Sequence, residues 1–124
     1  LRIERLTALG AWPEARALQL AAAVEAGVHH PLAEAVVAHA DSLGLPRLVV
    51  SGVQHAPGRG ASAVVDGHHV RIGRPSWLRG LEPGAEIPEE ATAVVTVDGT
   101  AALAIVARDL PRPSAMPAVA RLRA

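Results

Sequence analysis

A carboxylate and an imidazole stand five residues apart in Glu25-Ala-Gly-Val-His-His30-Pro31-Leu32. Gly27 is suited to stop one helix and Pro31 to start another, so the two side chains meet across a tight turn. Proline disfavours the α conformation in the residue before it, which makes His30 extended and projects its ring away from the helix barrel. A carboxylate there can accept a hydrogen bond from an amine. An imidazole there can stack on, or bond to, a flat heterocycle. The plainer alternative is that His30 only satisfies the helix start and Glu25 is solvated.

Gly58-Arg59-Gly60-Ala61 lies between two apolar, β-branched runs. Glycine allows a sharp turn and a close backbone approach to a ligand. No helix follows the loop, so it is not a dinucleotide fingerprint, and taken alone a simple turn or bulge is the better account of it. In Ile72-Gly73-Arg74-Pro75, Arg74 closes a strand and can pair with a phosphate. Trp77 is expected to pack under a short helix. The pairs His29–His30 and His68–His69 invite a metal reading, but adjacent strand residues point to opposite faces and no acidic partner has ligand spacing. No serine sits in a Gly-x-Ser-x-Gly elbow.

Composition removes other chemistries. All twelve basic residues are arginine, so a P-loop lysine and a Schiff-base lysine are both excluded. Cysteine is absent, which excludes disulfides and thiolate metal sites. Twelve acidic residues balance the arginines, and a neutral chain is not built for general nucleic-acid or anionic-membrane binding. A hydrophobic content of 50% over 124 residues is enough for one packed core. No apolar run reaches the roughly 18 residues that span a bilayer. There is no signal-peptide pattern, and a start without methionine suggests a fragment or a processed chain.

The elements that position these residues follow from pattern. Residues 1–9 alternate in part and predict a strand. Residues 13–26 predict a helix with Ala15, Leu18, Ala22 and Glu25 on one side, and 31–43 a second helix, the two forming a hairpin. Strands are predicted over 48–55, 61–65, 68–72, 93–97 and 101–106. Asp66-Gly67 and Asp98-Gly99 are hairpin turns, because a type I′ turn needs positive φ at both central residues. A short helix is expected at 75–78, a loop over 81–90 and a helix start at 113–123. Consecutive hairpins imply an α+β fold, a twisted antiparallel sheet of about six strands flanked by helices.

Taken in order, these segments resemble the nucleotide-binding domain of heavy-metal-transporting (CPx-type) P-type ATPases. That family carries Ser-Glu-His-Pro-Leu with a glutamate five residues before the histidine. The match here is Glu25, His30, Pro31 and Leu32, with Val28 and His29 in place of Ser-Glu. Gly58 and Gly60 match the family's Gly-x-Gly loop, Val65-Asp66-Gly67 its hairpin, and Ile72-Gly73 its Ile-Gly-Asn turn, with Arg74 where asparagine is common. Asp109-Leu-Pro-Arg112-Pro is similar to the stretch that re-enters the phosphorylation domain.

The resemblance implies an ATP-binding domain over 1–110 and a re-entry segment over 111–124, with the two ends of the domain close together. It implies that Glu25 accepts from the adenine 6-amino group and His30 holds the purine. Gly58, Gly60, Ala61 and Gly73 would line the nucleotide, and Arg74 would reach ribose or phosphate. ATP or ADP and the parent's phosphorylation domain are the implied partners, with Mg-ATP the form used by the full pump. The domain alone is expected to be a soluble monomer that binds ATP without turnover, on the cytoplasmic face of the plasma membrane in its parent. A histidine-based metal sensor and a ligand-free interaction domain are the competing readings.

Overall fold

The computed structural model describes residues 1–109, so the expected helix start at 113–123 and the re-entry segment over 111–124 lie outside the described residues. The element order is β1 (Arg2–Ala8), α1 (Glu14–Glu25), α2 (Pro31–Ser42), β2 (Val50–Ala56), β3 (Gly60–Val65), β4 (His68–Gly73), α3 (Pro75–Leu81), β5 (Ala93–Val97) and β6 (Thr100–Arg108). The strands form one six-stranded sheet in the order β1-β6-β5-β4-β3-β2. Every neighbouring pair is antiparallel.

Turn chemistry sets this register. Asp66 and Gly67 adopt φ of 53° and 80°, and Asp98 and Gly99 adopt 51° and 80°. These left-handed pairs match the strand twist and close both hairpins in two residues. β1 pairs with β6, setting Arg2 opposite Arg108, so the two ends of the described chain lie side by side.

The helical hairpin covers one face of the sheet and α3 the other. Side chains alternate between faces along a strand. Ala93, Val95 and Val97 therefore join the core under α1 and α2, while Val94 joins Leu78 and Ala104 under α3. Both faces being covered, β5 is buried along its whole length. Leu18, Leu20, Ile72, Leu103 and Ile105 are fully buried, each contributing about 2 kcal/mol of hydrophobic stabilisation.

The helix α1 departs from the expected single inward stripe. Ala15 is exposed, and Ala17, Leu18 and all of Leu20–Glu25 are buried. Its second half is enclosed by both α2 and the sheet, so small residues all round the helix lose contact with water. Other bounds differ as well, those of α3 and β2 for identifiable reasons. α3 continues to Leu81, where Glu82 and Pro83 end it. β2 begins at Val50, where its ladder with Val65 begins; it is an edge strand with one partner.

A polar defect sits on the α3 face. Thr96 is fully buried and its Oγ1 has no hydrogen-bond partner among the described residues. A buried hydroxyl without a partner carries a desolvation penalty that an isosteric apolar group does not. Thr96→Val is expected to raise unfolding stability by about 1 kcal/mol in urea titrations. A loss of stability would show that the hydroxyl is satisfied in solution.

Candidate functional site

Three chain segments far apart in sequence converge at one end of the sheet. The first is the link between α1 and α2, the second the turn between β2 and β3, and the third the end of β4. Between them lies a cleft of about 470 Å³, lined by Glu25, His30, Gly58, Gly60, Ala61, Gly73 and Arg74 among others. All seven residues singled out from the sequence thus share one cavity. Its volume lies within the range of small-ligand sites.

Glu25 ends α1 and is 7% exposed. No described residue gives its carboxyl a hydrogen bond or a positive partner, and burial alone pushes its pKa up to about 7. Near neutral pH the group is therefore divided between acid and carboxylate. The residue is largely withdrawn from water, with its carboxyl at the wall of the cleft.

His30 has φ −148° and ψ 141°, the extended form imposed by Pro31. Its ring turns back over the helix start, where Nδ1 accepts from the Leu32 backbone N–H at 3.2 Å. This N-cap corrects the expectation of a ring directed wholly away from the helix. The capping role and the cleft-lining role coincide, because an acceptor Nδ1 places the proton of the neutral ring on Nε2.

The glycines divide by physical reason. Gly58 has φ 73° and open space around it, so it serves the turn, closed by Arg59 N–H donating to Ala56 O at 2.8 Å. Gly60 and Gly73 face each other across β3 and β4. A Cβ on Gly60 would lie 2.4 Å from Ile72 O and 2.5 Å from Trp77 Cζ3. A Cβ on Gly73 would lie 2.5 Å from Arg59 O and from Trp77 Cε3. The close approach at these two positions is thus to Trp77 and the paired backbone. Trp77 lies against the paired glycines as well as under α3.

Arg74 follows Gly73 directly, and its N–H donates to Arg59 O at 2.9 Å. Arg59, passed over in the sequence reading, lines the same cleft with His55 and Thr92. Its place between Gly58 and Gly60 was the signal that it shares their loop.

The pair His68–His69 lies outside the cleft and does other work. His68 Nδ1 lies 2.7 Å from Asp98 Oδ2, and the His69 N–H donates to Asp98 Oδ1 at 2.9 Å. The hydrogen bond from His68, then that from His69, holds the Asp98 carboxyl below its usual range. His68 also meets Trp12 edge-on, with ring centroids 4.9 Å apart. Among the described residues no three His, Cys, Asp or Glu side chains are grouped to hold a metal.

No protein-family model matches the chain. The cation-transporting P-type ATPase B of Mycobacterium leprae is 38% identical over 133 residues, covering 98% of this chain and 17% of that protein. The copper-exporting P-type ATPase of Mycobacterium tuberculosis is 35% identical over 131 residues, with the same coverage. Among solved structures, the N-domain of HMA8, a copper-transporting P-type ATPase, superposes with a TM-score of 0.73 at 27% identity. That match covers 87% of this chain and all of that one. The fold is that of a P-type ATPase N-domain. The chain is homologous to a fragment of the copper- and cation-transporting P-type ATPases and has the architecture of their N-domain. It spans less than a fifth of the length of these two relatives.

Two outcomes follow from the geometry. Between pH 4.5 and 7 the folded state keeps a proton on Glu25 that the unfolded chain has released, so stability falls as pH rises through that window. The loss is on the order of 3 kcal/mol, and Glu25→Gln should remove it when the two proteins are compared by denaturation at each pH. An unchanged slope would mean that the carboxyl is solvated. Gly73→Ala should cost about 1–3 kcal/mol through overpacking against Trp77, read by the denaturation midpoint. A neutral effect would show that Trp77 moves freely.

Proposed function

We propose that this cleft binds the adenine end of ATP. The observation that carries the reading is the buried Glu25 carboxyl, without a partner among the described residues, lining the same cavity as His30 and the Gly58–Gly60 loop. A carboxyl on the wall of a cleft, with no protein partner among the described residues, is free to take its hydrogen bonds from a ligand.

The protonation of Glu25 decides which base suits it. As the neutral acid, its carbonyl oxygen accepts from the adenine 6-amino group while its O–H donates to adenine N1. Guanine offers two adjacent donors, N1–H and the 2-amino group, which match the acceptor-only carboxylate, whereas adenine N1 needs the donor that only the acid carries. Desolvation, which keeps the acid form populated near neutrality, thereby favours adenine. His30 contributes the face or the Nε2–H edge of a ring fixed by its cap. Gly58, Gly60, Ala61 and Gly73 bring backbone close to the nucleotide, and Arg74 reaches the phosphate side.

In the parent protein this domain would present the γ-phosphate of Mg-ATP to an aspartate on the phosphorylation domain, in support of heavy-metal translocation. It would work on the cytoplasmic face of the plasma membrane. The isolated chain would bind ATP or ADP as a monomer without turnover. No described helix is long and apolar enough to cross a membrane.

Amide NMR titration with ATP, ADP and GTP tests the reading. ATP and ADP should shift 25–32 and 58–61 with affinity near millimolar, about −4 kcal/mol, and GTP should not. Glu25→Gln mimics the neutral acid and should retain adenosine binding with no pH dependence, whereas Glu25→Ala should lose about tenfold or more, the net value of its two hydrogen bonds. In the unsubstituted protein adenosine affinity should fall from pH 6 to pH 8. His30→Asn keeps a capping side chain and removes the ring, so it should weaken binding while the fold is retained. A rise in affinity with pH would contradict the neutral-acid pairing. Absence of any shift with ATP would contradict the site.

A further inference from the structure

Arg59 and Arg74 form the rim between the cleft and a second, shallower hollow. Both line the cleft with Glu25, and both line the neighbouring hollow with Ser76 and Trp77. They are tied by the backbone hydrogen bond from Arg74 N–H to Arg59 O, at 2.9 Å. Both side chains are exposed, and neither enters an ion pair among the described residues, although five other arginines do. The hollow that they share contains no acidic residue. Glu89 lines a third hollow beside Arg74, where it pairs with Arg79 at 3.4 Å. Two arginines on one rim, in a hollow without a carboxylate, put like charges on the same edge, and a polyanion bound there would relieve their repulsion.

We infer that Arg59 and Arg74 act together as a clamp for the di- or triphosphate tail of the nucleotide, with Arg59 contributing as much as Arg74. This rests on the adenine reading of the cleft. The base lies toward Glu25, and the tail leaves over the arginine rim, where each planar guanidinium can bond two phosphate oxygens. The clamp makes affinity depend on phosphate number. Its exposed position makes that dependence sensitive to salt, because charges in water are screened over about 8 Å at physiological ionic strength.

Calorimetric titration of the 124-residue chain with adenosine, AMP, ADP and ATP, without magnesium, separates the two readings. ATP and ADP should bind at least about tenfold more tightly than adenosine at 20 mM salt, and the gap should narrow at 300 mM. Combining Arg59→Gln with Arg74→Gln should collapse the gap to about twofold, and Arg59→Gln alone should remove a substantial part of it. An unchanged ATP-to-adenosine ratio in the double variant would overturn the clamp and leave the adenine site standing. Loss confined to Arg74→Gln would overturn the role of Arg59. Failure of every ligand, adenosine included, would overturn the adenine site and the clamp with it.

Discussion

Burial of α1 between α2 and the sheet is the constraint from which the site follows. Ala17, Ala21, Ala22 and Ala23 are small enough to let the helix lie close to both neighbours, and Leu18, Leu20 and Val24 fill what remains. The helix is enclosed up to its last residue, so Glu25 is carried out of water with it. An isolated carboxylate in such a place is unfavourable by several kcal/mol, and the group responds by holding its proton to about pH 7. A packing decision in an alanine-rich helix thus creates an unpaired hydrogen-bonding group beside a cavity.

The other half of the site depends on strand register. β3 and β4 place Gly60 opposite Gly73, and the Trp77 ring occupies the space that two side chains would have taken. This fixes the positions of the Gly58–Gly60 turn and of Arg74, which follows Gly73 directly. Helix hairpin and strand hairpin therefore supply different parts of one cleft. Neither contains enough of the lining to form it alone.

Local chemistry was legible where one residue dictates its own backbone. The Asp66-Gly67 and Asp98-Gly99 turns, the extended His30 before Pro31 and the hairpin order of the strands could all be read directly. The grouping of Glu25, His30 and the glycines came from their resemblance to an N-domain, since spacing alone favoured a capping histidine and a solvated glutamate. The nearly complete burial of α1 was not legible, because a helix read by its own periodicity shows one apolar face and cannot reveal a second covering element. Trp77 against Gly60 and Gly73 was hidden for a similar reason: the contact joins segments 17 residues and four residues away from it, and only the register brings them together.

The central claim is that a neutral Glu25 carboxyl meets the ligand base. Carbon-detected NMR of the Glu25 carboxyl, followed from pH 4 to pH 9 with and without saturating adenosine, tests it directly. The account predicts a midpoint near 7 in the free protein and a higher one with adenosine, because a ligand that prefers the protonated form stabilises it. A midpoint near 4.5 in the free protein, or a downward shift on adding adenosine, would contradict it.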